Sequence, residues 1–304
     1  MKNLLSIETL TRDEILRILA LAAEMKATRG QHKEHPLRHR CWGMVFNKSS
    51  TRTRVSFEVG IRELGGDALF FNAADLHLGS RGEPIADTAR VLGRMLHGVV
   101  IRTFAQSDLE VFAQASGLPT VNALTDAEHP CQILADLFTI QEKLGDWRGK
   151  TVCYVGDGAC NVPASWLWAA ARLDFKLVIA APPKYQPSAE LLARLGPGAD
   201  VRCEVDVAAA AAGADVLYTD VWVSMGMEAE AAERMRDLAG YQINAALLHR
   251  AAPGALVLHC LPAYRGKEIT AEVLEAHADT IFTQAENRLH VQKAILSLLA
   301  TDRN

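Results

Sequence analysis

Short apolar runs alternate with stretches of helical period along nearly the whole chain. The runs WGMVF (42–46), ALFF (68–71), GVVIRTF (98–104), TVNAL (120–124), TVCYVG (151–156), KLVIAA (176–181), ADVLYTDV (214–221) and ALVLHCL (255–261) predict strands. Several are continuously apolar, as expected of parallel strands covered on both faces. Between them, Phe57, Ile61 and Leu64 fall at i, i+4, i+7 before a Gly65-Gly66 stop signal, and Ile133, Leu137, Ile140 and Leu144 repeat the pattern. A last helix is expected near 284–300. Alternation of this kind predicts an α/β fold with mostly parallel, Rossmann-like sheets flanked by helices. A chain of 304 residues can build two such domains. The polar, turn-rich KLGDWRGK (143–150) sets the boundary between domains at 1–145 and 146–284, with the helix from about 285 to 304 expected to pack back on the first.

Composition narrows the function classes. With 49% hydrophobic and 22% charged residues the chain reads as globular and not as disordered or fibrous. A formal charge of −4 exerts no long-range pull on nucleic acid, so a bound anion must be held by local cations. Cysteines at 41, 131, 153, 160, 203 and 260 form no C-x-x-C pair, which points to free thiols in a reducing cytosol and away from a disulfide scaffold or metal cluster. The opening MKNLLSIETLTRDEI carries acidic residues too early for a signal peptide, and the apolar runs are far short of a membrane span. The expectation is a soluble cytoplasmic protein without nucleic-acid or membrane partners.

Six stretches carry candidate chemistry. NKSSTRTR (47–54) lies at a strand-to-helix junction, where unpaired backbone N–H groups and the helix dipole favour an anion. Ser50, Thr51 and Thr53 add hydroxyls, while one of Arg52 and Arg54 can fork onto phosphate oxygens and the other tie down the fold. A capped helix with solvated arginines is the plain alternative. Density of hydroxyl–arginine pairs at a strand end, where open α/β sheets bind ligands, favours the anion seat. Arg102 ends the run GVVIR as either a surface cation or a site residue. His129-Pro130-Cys131-Gln132 opens a helix with proline in its first turn, leaving His129 just outside the helix start. VGDGACN (155–161) gives G-x-G-x-x-N; Asn161 replaces the small residue a dinucleotide fold needs, and no acid follows at the next strand, so a nicotinamide site is excluded. Asp220 after ADVLYT suits a substrate ammonium or a cap, and Cys260 in HCLP suits plain core or a site.

Together these stretches resemble the aspartate/ornithine carbamoyltransferases, and the ornithine branch in particular. The likeness covers nearly the whole chain: STRTR (50–54), EPIADTARVLGRM (83–95), RTF (102–104), LTDAEHPCQILADL (124–137), VGDG (155–158), YTDVWVSMG (218–226), HCLPAYRGKEIT (259–270) and QAENRLHVQKA (284–294). The DVWVSMG and HCLP pair distinguishes ornithine from aspartate. The resemblance implies transfer of a carbamoyl group from carbamoyl phosphate to the δ-amine of L-ornithine, giving L-citrulline, without metal or organic cofactor. It assigns Ser50, Thr51, Arg52 and Thr53 to the phosphate. Arg102, His129, Pro130, Cys131, Gln132 and Arg288 go with the carbamoyl phosphate, with Arg102 and His129 acting at its carbamoyl end. Asn161, Asp220, Ser224 and Met225 are assigned to ornithine. Cys260 and Leu261 would border the reacting amine and carbamoyl group, with Cys260 positioning and not attacking. His77 matches a position that reaches a neighbouring subunit's site, which implies a homotrimer or a multiple of trimers. Two features depart from the family: Cys160 stands where the first of paired asparagines is usual, and the loop LGSRGEP (78–84) is one residue longer. Another amine acceptor, such as putrescine or an acylated ornithine, and a binding-only protein remain the alternatives.

Overall fold

The computed structural model describes residues 1–72, 83–224 and 226–302. His77, Met225 and most of the 78–84 loop fall outside them. The chain divides into two compact units, 1–138 with 286–304, and 139–285. The division falls inside two helices, Pro130–Leu144 and Ala278–Thr301.

The first unit holds a four-stranded parallel sheet of β1 (Cys41–Phe46), β2 (Asp67–Asn72), β3 (Gly98–Arg102) and β4 (Thr120–Leu124), in the order β2-β1-β3-β4. β1, β3 and β4 are almost wholly buried, which accounts for their unbroken apolar sequences. Edge strand β2 is partly exposed. Val45, Ala89, Val99, Ile101, Leu109 and Phe112 form one core layer. The helix Thr51–Glu63 buries Phe57 and Ile61, and Gly65 at φ 83° ends its last turn in a left-handed conformation suited to glycine. At Gly60 that helix meets the last helix closely: a Cβ there would lie 3.2 Å from Lys293 Cγ. Deeper in the same contact, the Lys293 ammonium pairs with Glu63 at 2.6 Å, a buried cation with its own counter-charge.

The second unit holds a five-stranded parallel sheet of β5 (Thr151–Val155), β6 (Lys176–Ala180), β7 (Val201–Glu204), β8 (Val216–Thr219) and β9 (Leu256–His259), ordered β7-β6-β5-β8-β9. Cys153, Val155, Val178, Leu217, Val257 and Ile269 are among its core. Eight of the strands lie within or beside predicted apolar runs. β7 has none, because VRCE is a half-exposed edge strand. The predicted runs at 98–104 and 255–261 overshoot: pairing stops at Arg102 and His259, and the chain leaves the sheet with Thr103 and Cys260 still buried but Phe104 exposed. The last helix begins at Ala278, earlier than the 284 expected, since its first turns are polar and partly exposed. All six cysteines are free thiols. Among the described residues, no helix is long and apolar enough to cross a membrane.

In both sheets the strand order reverses once, between β1 and β3 in the first and between β5 and β8 in the second. Open α/β sheets bind ligands at the carboxyl ends of the strands flanking that reversal. The segments emerging there are 47–54 and Arg102–Thr103 in the first unit, and 156–161 and Asp220 onward in the second.

Candidate active site

β1 ends at Phe46, and the chain runs through Asn47–Ser50 into the helix Thr51–Glu63. Asn47 ties this loop to the neighbouring strand end: its N–H donates to the Arg102 carbonyl at 2.8 Å and its Nδ2 to Thr103 Oγ1 at 3.0 Å. Ser50 caps the helix, its Oγ accepting the Thr53 N–H at 3.3 Å. No acidic residue occupies the first turn, unlike the helix Arg12–Ala27, whose Thr11–Glu14 capping box and Asp13 offset its own dipole. The positive end of the 51–63 helix therefore keeps no counter-charge of its own.

Buried cations converge on this end. Arg288 Nη2 donates to Thr53 Oγ1 at 2.5 Å and Nη1 to Gln132 Oε1 at 2.9 Å, while Gln132 Nε2 donates to Asp136 at 2.8 Å. Arg102 sits on the last position of β3, where the register with β4 shifts so that Ile101 faces Asn122 and Arg102 faces Leu124. A bulge of this kind re-aims a side chain and is common beside active sites. His129 is buried just ahead of Pro130, the first residue of its helix. Burial first, then the guanidiniums of Arg288, Arg102 and Arg52, hold its pKa well below 6.5, so the imidazole is neutral at neutral pH. Those same electrostatic couplings place Arg52, Arg102, Arg288 and His129 in one constellation.

Other expected residues occupy different positions. The Cys131 thiol turns into the core, donating to the Asn122 carbonyl at 3.3 Å, and burial pushes its pKa up to about 12. Arg54 points away from the seat: it stacks on Phe70 at 3.8 Å and faces Glu58 at 3.6 Å. Lys48 was given no role from sequence, yet it is 7% exposed, pairs with Asp126 and lies 4.2 Å from the Phe104 ring centroid. Its place in the octapeptide was the available signal; its partner, 78 residues on, was not legible.

In the second unit, Gly156 (φ 137°) and Gly158 turn the chain out of β5. A Cβ on Gly158 would lie 2.6 Å from Ile179 Cγ2 and 2.9 Å from the Tyr185 carbonyl, so only glycine permits this approach to β6. Asn161 is the first residue of the helix Asn161–Arg172. The departure at Cys160 is absorbed locally: its thiol donates to the Asp157 carbonyl at 3.2 Å, and burial with the Asp157 and Asp220 charges pushes its pKa well above normal. Asp220 follows β8 and is buried, which raises its pKa. Its Oδ1 accepts from the Val221 N–H at 2.7 Å and from the Cys260 thiol at 2.8 Å. Ser224 is half-buried in the same loop.

Cys260 and Leu261 follow β9. Leu261 has φ 60°, uncommon for a bulky residue and a mark of functional strain where surrounding structure enforces it. Its N–H donates to His259 Nδ1 at 2.8 Å. The opposite nitrogen, Nε2, therefore carries the proton and faces Glu268 at 3.1 Å, with both side chains fully buried. Asp220, His259 and Cys260 offer ligand atoms within 4.8 Å of one another among the described residues, but each of these groups is engaged in the hydrogen bonds just given.

Two family profiles match the chain. One, aspartate/ornithine carbamoyltransferase, carbamoyl-P binding domain, covers residues 2–142; the other, aspartate/ornithine carbamoyltransferase, Asp/Orn binding domain, covers residues 148–299. An ornithine carbamoyltransferase of Akkermansia muciniphila is 55% identical over 305 aligned residues, spanning 100% of this chain and 99% of that protein. The crystal structure of anabolic ornithine carbamoyltransferase from Campylobacter jejuni matches with a TM-score of 0.93 at 41% identity, covering 100% of both chains. Ornithine carbamoyltransferase from Pyrococcus furiosus matches with a TM-score of 0.93 at 42% identity, covering 100% of this chain and 98% of that one.

Proposed function

The chain belongs to the aspartate/ornithine carbamoyltransferase family, and on that premise we infer that it transfers the carbamoyl group of carbamoyl phosphate to the δ-amine of L-ornithine, releasing L-citrulline and phosphate. The observation that carries this reading is the cluster of Arg52, Arg102 and Arg288 around a buried neutral His129 beside an uncompensated helix N-terminus. Three cations suit a phosphate dianion, and a neutral imidazole among them suits the uncharged carbamoyl end.

Residues 1–145, with the helix from about 285, form the carbamoyl phosphate domain, and 146–284 the ornithine domain. Ser50, Thr51, Arg52 and Thr53 hold the phosphate. As the neutral amine attacks the carbamoyl carbon, charge grows on the carbonyl oxygen. Arg102 and His129 donate to that oxygen, Gln132 and Arg288 fix the geometry, and phosphate leaves with the bonding electrons. In the second unit Asn161, Asp220, Ser224 and Met225 bind the amino-acid end of ornithine. Cys260 positions the reacting groups: its thiol keeps its hydrogen in a bond to the Asp220 carboxylate, whose negative charge disfavours the thiolate that would attack, and the leaving phosphate needs no covalent intermediate. A thiocarbamate trapped on Cys260 would overturn this role.

The protein acts in cytoplasmic arginine biosynthesis as a homotrimer, or a multiple of trimers, with His77 serving a neighbouring subunit. Steady-state citrulline formation from carbamoyl phosphate tests the whole reading with ornithine, putrescine and acetylornithine as acceptors. Turnover with ornithine alone is expected. Preference for another amine would reassign the acceptor, and no turnover with any would leave a binding-only protein.

A further inference from the structure

Arg234 has no part in the reaction just described, yet it is a charged side chain only 5% exposed, on the short helix Ala231–Asp237. Its guanidinium is divided among several partners. Nη2 pairs with the Asp157 carboxylate, Nε donates to the Trp222 carbonyl at 2.7 Å, and Nη1 reaches Glu230 at 3.4 Å. The Tyr185 ring centroid lies 5.0 Å away.

The two buried partners belong to different loops. Asp157 lies in the turn after β5, and its second oxygen accepts the Ala159 N–H at 2.9 Å, so the carboxylate holds the turn that delivers Cys160 and Asn161. Trp222 lies midway between Asp220 and Ser224 in the loop after β8. These loops flank the reversal of strand order in the second sheet. A buried ion pair contributes little net stability over well-packed apolar residues, because both charges must leave water. What the planar fork supplies, and an apolar side chain cannot, is a fixed distance between two backbone segments.

We propose that Arg234 is a positioning residue for the amino-acid substrate: by joining Asp157 to the Trp222 carbonyl it sets the spacing between Asn161 and the Asp220–Ser224 segment. The inference rests on the assignment of those residues to ornithine. Arg234→Lys keeps a cation beside Asp157 but has no second donor in the plane to hold Trp222. The double variant Asp157→Asn with Arg234→Gln removes both charges at similar volume, so that no lone charge stays buried.

The assay is citrulline formation with each substrate varied in turn, alongside thermal unfolding. In both variants the ornithine KM should rise about tenfold or more, the loss of one hydrogen bond to a charged donor, while the carbamoyl phosphate KM stays within about twofold. A lowered unfolding temperature with both KM values unchanged would make Arg234 merely structural and overturn the proposal. So would an equal rise in both KM values, or failure of both variants to fold. Wild-type protein that makes no citrulline from ornithine sinks the parent reading and this one together; active wild type with unaltered variants sinks this one alone.

Discussion

Replacing Arg288 by lysine isolates what a forked cation does at the anion seat. Arg288 is 3% exposed and spans two acceptors, Thr53 Oγ1 at 2.5 Å and Gln132 Oε1 at 2.9 Å. A lysine ammonium keeps the charge but sits on an unforked stem and cannot hold both. Thr53 retains its contact with Ser50 Oγ at 2.9 Å, so the loss falls on Gln132, whose buried carbonyl gives up this donor. A hydrogen bond from a charged donor is worth about 1.5–3 kcal/mol. At about 1.4 kcal/mol per decade, kcat/KM for carbamoyl phosphate should fall roughly 10- to 150-fold. Arg288→Met also removes the charge and should cost more, toward the ~10²–10³ typical of losing an oxyanion donor. The measurement is citrulline formation with carbamoyl phosphate varied at saturating ornithine, with thermal unfolding to confirm that each variant folds. A lysine variant within about threefold of wild type would refute the fork argument. A loss that appears equally in the ornithine KM would also refute it, since both named contacts of the fork lie in the first unit.

Three further outcomes follow from the geometry. Arg52→Ala should abolish turnover while the fold survives, because Arg52 is only half-buried and its Nε has no hydrogen-bond partner among the described residues; near-normal turnover would sink the phosphate seat. Gly158→Ala should destabilise the protein by about 1–3 kcal/mol through collision with Ile179 and the Tyr185 carbonyl, and an unchanged denaturant midpoint would show that the turn has slack. His129 is held neutral in the fold, whereas in the unfolded chain it titrates near 6.5. The unfolded state therefore binds a proton that the folded state refuses. The stability His129 contributes is full above pH 6.5 and lost as pH falls toward its depressed folded pKa, at up to about 1.4 kcal/mol per pH unit. His129→Gln should flatten that slope in denaturation series from about pH 7 to pH 5, and an unaltered slope would mean that His129 is not the group responsible.

Local pattern was sufficient for much of the fold. Phe57 and Ile61 are buried as their period requires, on the one stripe their helix turns inward; Ile133, Leu137 and Ile140 are buried too, but in a helix dry on every side through Ile140. Continuous runs marked the interior strands because parallel strands are covered on both faces, and the edge strand Val201–Glu204 escaped notice because it is not. The candidate segments were also legible, since hydroxyls, arginines and glycines crowded at strand ends are unusual chemistry for ordinary turns.

What the sequence alone determined is therefore which short segments carry chemistry and which family they resemble. Tertiary structure decided how those residues are employed. Arg288 meets Thr53 across 235 positions and Gln132 across 156, and Cys260 meets Asp220 across 40. The Cys131 thiol, part of a family motif, is buried against the Asn122 carbonyl, while Lys48 and Arg234, given no role by the sequence, are buried cations with specific partners. The reason is physical. Periodicity records which side of an element is dry, a property of each segment by itself. Protonation state and the partner of a given cation depend on desolvation and on contacts between segments far apart in the chain, and only the folded arrangement of strands sets those.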